Sequence, residues 1–392
     1  MGKLQAVTGN QAVAEAMRQI NPDVCAAYPI TPSTDIMQRF SQFVADGKVD
    51  TELVTVESEH SAMSACIGAV AAGGRVMNAT SSQGLALMWE MLHIAAGDRL
   101  PIVLALVNRA LSAPLNIHGD HSDGMGARDC GWIQLYSENG QEAYDNTIQA
   151  VRIAEHEDVR LPAMVCQDGF IISHSIESME YLDDKVVKDF VGQFKPTHPL
   201  LDIDNPVTYG PLVLPDYYME FKVAQDRAIM NAKKVTLDVA KEFEKISGRS
   251  YGLFEDYKLD GAEIVLVVLN SAAGTAKDVI DEYRSKGIKA GLLKPRLFRP
   301  FPSAEVAETL KDAKAIAVLD RADSYGGFGP LYMEIAAAMM TNGSKPTLIN
   351  KIYGLGGRDF FPENAAATLD ELKEIAETGK VKNHKEYIGY RG

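Results

Sequence analysis

The chain has few of the residues that would commit it to a metal, a membrane or a nucleic acid. Its 392 residues include four cysteines, Cys25, Cys66, Cys130 and Cys166. None stands in a C-x-x-C pair, so neither a zinc ribbon nor an iron–sulfur cluster is signalled, and no metal ligand set is expected. Each cysteine falls in or beside an apolar stretch, the setting of a buried free thiol. Basic residues are in deficit, 39 Lys and Arg against 53 Asp and Glu, for a net charge of −14. That balance argues against nucleic acid as a partner, because phosphate binding needs clustered cations. No apolar run approaches the roughly 18 residues that span a bilayer, and Met1-Gly2-Lys3 opens a mixed stretch rather than a signal peptide. A cytoplasmic protein with no membrane partner is expected. Short-period repeats and low-complexity tracts are absent as well.

What is present is an α/β pattern. Hydrophobic residues make up 46%, and the length suits two or three domains. Strand-like runs at 24–28, 53–56, 75–79, 102–107 and 163–167 alternate with helical patterns at 10–20, 35–43, 59–72, 84–95 and 141–156. This is the order of a parallel sheet covered on both faces. Residues 197–216, with Pro199, Pro206, Pro211 and Pro215, read as an extended excursion, and 221–246 as one long amphipathic helix. A second α/β alternation follows from about residue 260. The expected division is 1–196, 197–259 and 260–392, with the last dozen residues wrapping onto another subunit or fraying.

Three strand ends carry candidate chemistry. Prolines flank Thr31, so an extended, pre-set backbone is expected to hold its hydroxyl at the end of the first strand-like run. Arg109 lies just past 102–107, where ligands of parallel sheets bind; a guanidinium there can grip a carboxylate in bidentate fashion, or make a structural ion pair. The stretch Asn78-Ala79-Thr80-Ser81-Ser82-Gln83-Gly84 permits close approach of a ligand or neighbouring chain, or is an ordinary N-cap cluster. Glu59, at the start of a small-residue helix, could be no more than a helix N-terminal charge, with Glu57 and Glu52 as rivals. The loop Gly119-Asp120-His121-Ser122-Asp123, near His118 and Asp129, offers metal donors, but its spacing matches no standard zinc motif. Gly326-Gly327-Phe328-Gly329 and Gly354-Leu355-Gly356-Gly357 both fall short of G-x-G-x-x-G, and Pro330 at a helix N1 explains the first as a tight turn.

Three segments, taken together, carry a family likeness: Ala27-Tyr28-Pro29-Ile30-Thr31-Pro32-Ser33-Thr34, Val56-Glu57-Ser58-Glu59-His60-Ser61-Ala62 and Val107-Asn108-Arg109-Ala110-Leu111-Ser112. The chain resembles the alpha subunit of the multi-subunit 2-oxoacid:ferredoxin oxidoreductases, most closely the pyruvate:ferredoxin (pyruvate synthase) type. The likeness continues through Ile117-His118-Gly119-Asp120-His121-Ser122-Asp123, Asp168-Gly169-Phe170 and Leu292-Leu293-Lys294-Pro295-Arg296. Order and spacing carry it, no single segment.

The resemblance implies a fold: a doubly wound, mainly parallel α/β sheet of the thiamine-diphosphate pyrimidine-binding kind, then a smaller transketolase C-terminal-like α/β domain, mainly structural and interfacial. It implies an activity: coenzyme A-dependent oxidative decarboxylation of pyruvate to acetyl-CoA in anaerobic metabolism, with electrons passed to ferredoxin. Glu59 would hydrogen-bond N1′ of the aminopyrimidine and so favour the imino tautomer that deprotonates C2. Arg109 and Thr31 would bind the oxoacid carboxylate, and a neutral Thr31 suits a monocarboxylate. Tyr28, Pro29, Ile30, Ser82 and Gln83 would line the cofactor. The chain lacks the G-D-G that family members use to hold diphosphate through Mg²⁺. The resemblance therefore implies a beta subunit with the diphosphate and Mg half-site, and iron–sulfur and gamma subunits, in a dimer of heteromers. The rivals keep the chemistry and change the substrate to a branched-chain or aromatic 2-oxoacid such as phenylglyoxylate, or change the electron acceptor. More distant rivals are a nucleotide-binding dehydrogenase and a non-catalytic scaffold.

Overall fold

The computed structural model describes residues 3–392. The first unit runs β1 (Lys3–Thr8), α1 (Gly9–Ile20), β2 (Val24–Ala27), α2 (Thr34–Ala45), β3 (Glu52–Thr55), α3 (Glu59–Ala72), β4 (Val76–Thr80), α4 (Ser82–Leu87), α5 (Trp89–Gly97), β5 (Ile102–Asn108), α6 (Ser122–Gly126), β6 (Ile133–Tyr136), α7 (Gly140–Ala154), β7 (Ala163–Asp168), β8 (Ile176–Tyr181) and α8 (Asp184–Val191). Residues 192–214 hold no helix or strand, and α9 (Pro215–Ser247) follows with Pro215 in its first turn, where a missing N–H costs nothing. The second unit runs β9 (Phe254–Tyr257), β10 (Ile264–Val268), α10 (Ala272–Ser285), β11 (Ala290–Pro295), β12 (Leu297–Arg299), α11 (Ser303–Leu310), β13 (Ala315–Asp320), α12 (Pro330–Thr341), β14 (Thr347–Ile352), α13 (Pro362–Thr378) and β15 (Lys385–Tyr387).

β4, β5 and β7 are buried along their whole length, the pattern of strands covered on both faces. They belong to a seven-stranded sheet of order β12-β6-β7-β5-β4-β2-β3, parallel except at β12. From β2 the chain moves outward to β3, and α3 then carries it back across to β4 on the other side of β2. The strand order therefore reverses between β2 and β4, which opens a crevice at the carboxyl ends. Helix α3 is rich in Ala, Ser and Gly, so its backbone lies close to the sheet, and it ends at Gly73 with φ +110, a left-handed cap that favours glycine.

Several sequence expectations are corrected. The helix expected over 84–95 is two, α4 and α5, broken at Met88. Residues 31–33 form a turn rather than an extended link, closed by Ser33 Oγ donating to the Ile30 carbonyl at 2.8 Å. The chain end does not simply fray: β15 adds to β14 of its own sheet, and α13 before it had no counterpart in the pattern reading. The two sheets also interleave across residue 260. The second, of order β15-β14-β13-β10-β11-β9, takes β9 from before it, and the first takes β12 from beyond it. One apolar cluster spans both units, with Leu106 and Trp132 joined to Val265, Leu293 and Phe298.

Candidate active site

Strands β5, β4, β2 and β3 are neighbours, so the residues just past their carboxyl ends come together. These are Arg109, the 81–83 turn, the 28–31 turn and Glu59. Tyr28 and Ile30 are half-buried there, and Pro29 and Thr31 exposed. From the start of α1, Asn10 Nδ2 donates to the Pro32 carbonyl at 2.7 Å and fixes the turn from below.

Arg109 is 6% exposed and enters no ion pair among the described residues. Its Nε–H donates to the Asn116 carbonyl at 3.1 Å and its Nη1–H to the Thr31 carbonyl at 2.9 Å. Its Nη2 has no hydrogen bond among the described residues. Burial pulls the guanidinium below its ordinary pKa, against the charge of Asp123. The structural ion pair weighed above has no partner, and a buried cation without one is costly. The contact between Thr31 and Arg109 runs through the Thr31 backbone, which leaves the hydroxyl free.

The three carboxylates near the β3–α3 link separate by burial. Glu52 and Glu57 are exposed, and Glu57 accepts from Ser61 Oγ at 2.6 Å. Glu59 is 6% exposed and has no hydrogen-bond partner among the described residues. Gly84 makes the close approach possible: a Cβ there would lie 2.9 Å from Glu59 Oε1 and would overlap Thr80 Oγ1. Thr80 Oγ1, Ser81 Oγ and Gln83 Nε2 are also buried without partners. These orphan polar atoms cluster behind Glu59 at the carboxyl end of β4, and buried polar groups without partners call for a structural or functional explanation.

Asp123 ties the strand ends to one another. Its Oδ2 accepts the backbone N–H of Ser82 and of Arg109, both at 2.9 Å, and its Oδ1 accepts Asn108 Nδ2 at 2.9 Å. Ser82, at φ +45, donates its hydroxyl to the Ala110 carbonyl at 2.6 Å. Burial pushes the Asp123 carboxyl up to about 6, although these hydrogen bonds favour its charged form. In the sequence Asp123 stood in a family segment and among possible metal donors, with no structural role assigned. In the fold, the Gly119–Asp123 donors face different partners: Asp120 holds the Ser122 N–H at 3.0 Å, and His121 Nε2 lies 2.8 Å from Asp168.

Asp168, at the end of β7, is the joint between the units. It meets Arg321 Nη1 at 2.9 Å, His121 Nε2, Ser271 Oγ and the Ser271 N–H at 3.1 Å. Burial raises its pKa, but the charges of Arg321 and His121 outweigh burial and hold the carboxyl below its ordinary range. Lys294 and Arg296 extend the same joint. Lys294 Nζ reaches Glu138 at 2.7 Å and Glu142 at 2.5 Å, and Arg296 donates to Asn146 Oδ1 at 2.8 Å and Gln149 Oε1 at 3.0 Å. The roles of Asp123, Asn116 and Asp168 escaped the sequence reading, because their signal is a set of backbone groups that only the fold assembles.

A doubly wound sheet with an unpaired guanidinium and an unpartnered buried carboxyl at its switch point has the form of an α/β enzyme domain. Family comparison agrees. Residues 15–241 match the pyruvate flavodoxin/ferredoxin oxidoreductase thiamine-diphosphate-binding family, and residues 262–365 match the pyruvate:ferredoxin oxidoreductase core domain II. The chain is 54% identical over 386 residues to the pyruvate synthase subunit PorA of Thermotoga maritima, covering 98% of each chain. It is 44% identical to the ketoisovalerate oxidoreductase subunit VorA of Pyrococcus abyssi, covering 98% of this chain and 97% of that one. Its fold is similar to that of the 2-oxoglutarate:ferredoxin oxidoreductase from Magnetococcus marinus, solved with 2-oxoglutarate, coenzyme A and succinyl-CoA. The TM-score is 0.74 at 20% identity, over 96% of this chain and 66% of that one. The chain belongs to the pyruvate:ferredoxin oxidoreductase family, as an oxidoreductase subunit with a thiamine-diphosphate-binding domain.

Proposed function

We propose that this chain supplies the oxoacid clamp and the pyrimidine half of the cofactor site in a coenzyme A-acylating pyruvate:ferredoxin oxidoreductase. The observation that carries the reading is a pair of complementary vacancies among the described residues: a buried guanidinium with no ion-pair partner and a buried carboxyl with no hydrogen-bond donor. Arg109 offers its Nη2 edge to the oxoacid carboxylate, with the free Thr31 hydroxyl as a weaker second donor. Nε and Nη1 are already tied to carbonyls, so little side-chain entropy remains to be lost on binding. Glu59 shares a proton with a ring nitrogen at its Oε atoms. Tyr28, Pro29, Ile30, Ser82 and Gln83 would line the ring. Thiamine diphosphate held by these residues would supply the carbon nucleophile and electron sink that 2-oxoacid decarboxylation requires.

The remainder of the machinery lies on other chains in this reading. A beta subunit brings the diphosphate and Mg half-site, and iron–sulfur and gamma subunits bring the path to ferredoxin. Pyruvate is favoured over branched substrates by the relatives, 54% identity to a pyruvate synthase subunit against 44% to a ketoisovalerate one. The test is a 2-oxoacid panel on the assembled complex, with ferredoxin or dye reduction as readout. We expect the highest kcat/KM with pyruvate; a higher value with 2-ketoisovalerate or phenylglyoxylate would move the assignment to that substrate. Isolated chain should bind thiamine diphosphate weakly by calorimetry, and tight Mg²⁺-dependent binding without a partner would end the half-site reading.

A further inference from the structure

The glycine-rich turn at 354–357 in the second unit is unused by the cofactor reading, yet it reaches the Arg109 site. Gly356 has φ +60, a conformation that favours glycine. Its N–H donates to Asp120 Oδ2 at 3.0 Å, and its carbonyl accepts Asn116 Nδ2 at 2.8 Å. Asn116 is tied at its other side-chain atom as well, Oδ1 accepting the His118 N–H at 2.8 Å. The Asn116 carbonyl is the group that holds Arg109 Nε. A direct path of hydrogen bonds thus runs from Gly356 through Asn116 to the guanidinium.

The fit is close at every step. A Cβ on Gly356 would overlap Asn116 Nδ2, and one on Gly357 would overlap His118 Cβ. The space that a phosphate-binding turn would leave open is filled by residues 116–118. The base of the loop is closed by the Ala110 N–H donating to the His118 carbonyl at 3.0 Å, but its tip is open: residues 112–115 and 117 are exposed. A loop of that kind samples many conformations unless something outside it fixes it.

We propose that Gly356 and Asn116 are positioning residues for the oxoacid clamp. The second unit acts as a socket that fixes the loop between β5 and α6, so that Arg109 is held at Nε and Nη1 and presents Nη2. The second unit then contributes to substrate affinity as well as to architecture. This inference rests on the reading of Arg109 as the carboxylate clamp.

The test compares four variants in the assembled complex. Gly356→Ala places a Cβ against Asn116 Nδ2 and forces the two apart, and Asn116→Ala removes the side-chain tie without backbone strain. Gly379→Ala, at φ +70 with nothing within 4 Å, imposes the same kind of backbone strain far from the site. Arg109→Ala removes the clamp itself. We expect Gly356→Ala and Asn116→Ala each to raise KM for the 2-oxoacid by about tenfold, because the Asn116 carbonyl is then no longer fixed where it holds Arg109 Nε and a charge-assisted hydrogen bond is weakened. KM for coenzyme A and kcat should change by no more than about twofold, and the double variant should fall short of additivity. If Arg109→Ala raises KM but Gly356→Ala and Asn116→Ala behave like Gly379→Ala, the socket is refuted and the clamp stands. If Arg109→Ala leaves KM unchanged, the clamp falls and the socket with it.

Discussion

Two buried polar clusters lie a few residues apart in this protein, and they are built on opposite principles. At the joint between the units, Asp168 is surrounded by Arg321, His121 and Ser271, and Lys294 by Glu138, Glu142 and Glu255. At the switch point, Arg109 and Glu59 are equally buried but carry free hydrogen-bonding atoms, with Thr80, Ser81 and Gln83 beside them. Burying an unsatisfied polar group costs free energy, so a fold does not keep several together without a use. The first cluster pairs its charges across the two units, although Asn270 Oδ1 and Tyr353 OH beside it lack partners; the second leaves its guanidinium and carboxyl without partner charges among the described residues.

The comparison is broken most forcefully at the joint. Asp168→Ala leaves Arg321 buried without its partner, and we expect a loss of about 3–5 kcal/mol in unfolding free energy, read from the denaturant midpoint. Glu59→Gln should do the reverse. Turnover should fall by roughly 10²-fold or more, with the midpoint unchanged and exchange of the cofactor C2 proton, followed by NMR, slowed in parallel. A stability loss at Glu59 with normal exchange would make it an architectural group and return Glu57 and Glu52 to consideration. Arg109→Lys keeps the charge but loses the fork, so KM for the oxoacid should rise about tenfold and KM for coenzyme A should not. Thr31→Ala should act in the same direction by about threefold, because a neutral hydrogen bond contributes less.

The smallest effect sharpens the comparison through pH. Only the ionised Asp123 carboxylate can accept on both oxygens at once, from Ser82 and Arg109 on Oδ2 and from Asn108 and Gly124 on Oδ1, and burial pushes its pKa up to about 6. As pH falls from 7 to 5.5, KM for the oxoacid should rise by about threefold, and Asp123→Asn should give a flat profile. The sign separates this from acid unfolding. An unfolded Asp titrates near ~3.9, so between about 6 and that value the folded chain binds a proton that the unfolded chain does not. Stability from this group therefore rises as pH falls, while affinity drops. A parallel loss of both would point to some other group.

The sequence determined the local facts. Alternating apolar runs with intervening helical patterns placed most strands and helices of both units, because side-chain periodicity is a property of neighbours in the chain. The prolines of 197–216 marked the excursion for the same reason. The family segments pointed to Glu59, Thr31 and Arg109, but could not separate Glu59 from Glu57 and Glu52 on physical grounds, since all three are carboxylates within eight positions. The tertiary structure distinguishes their surroundings, burying Glu59 beside Gly84 and leaving Glu52 and Glu57 exposed. It also decided what Asp123 is for, which strand of each sheet comes from across residue 260, and why Gly354-Leu355-Gly356-Gly357 carries three glycines. Each of these depends on groups more than ten positions apart meeting within hydrogen-bond reach. Such meetings are set by strand order and packing, and a pattern read along one chain does not contain them.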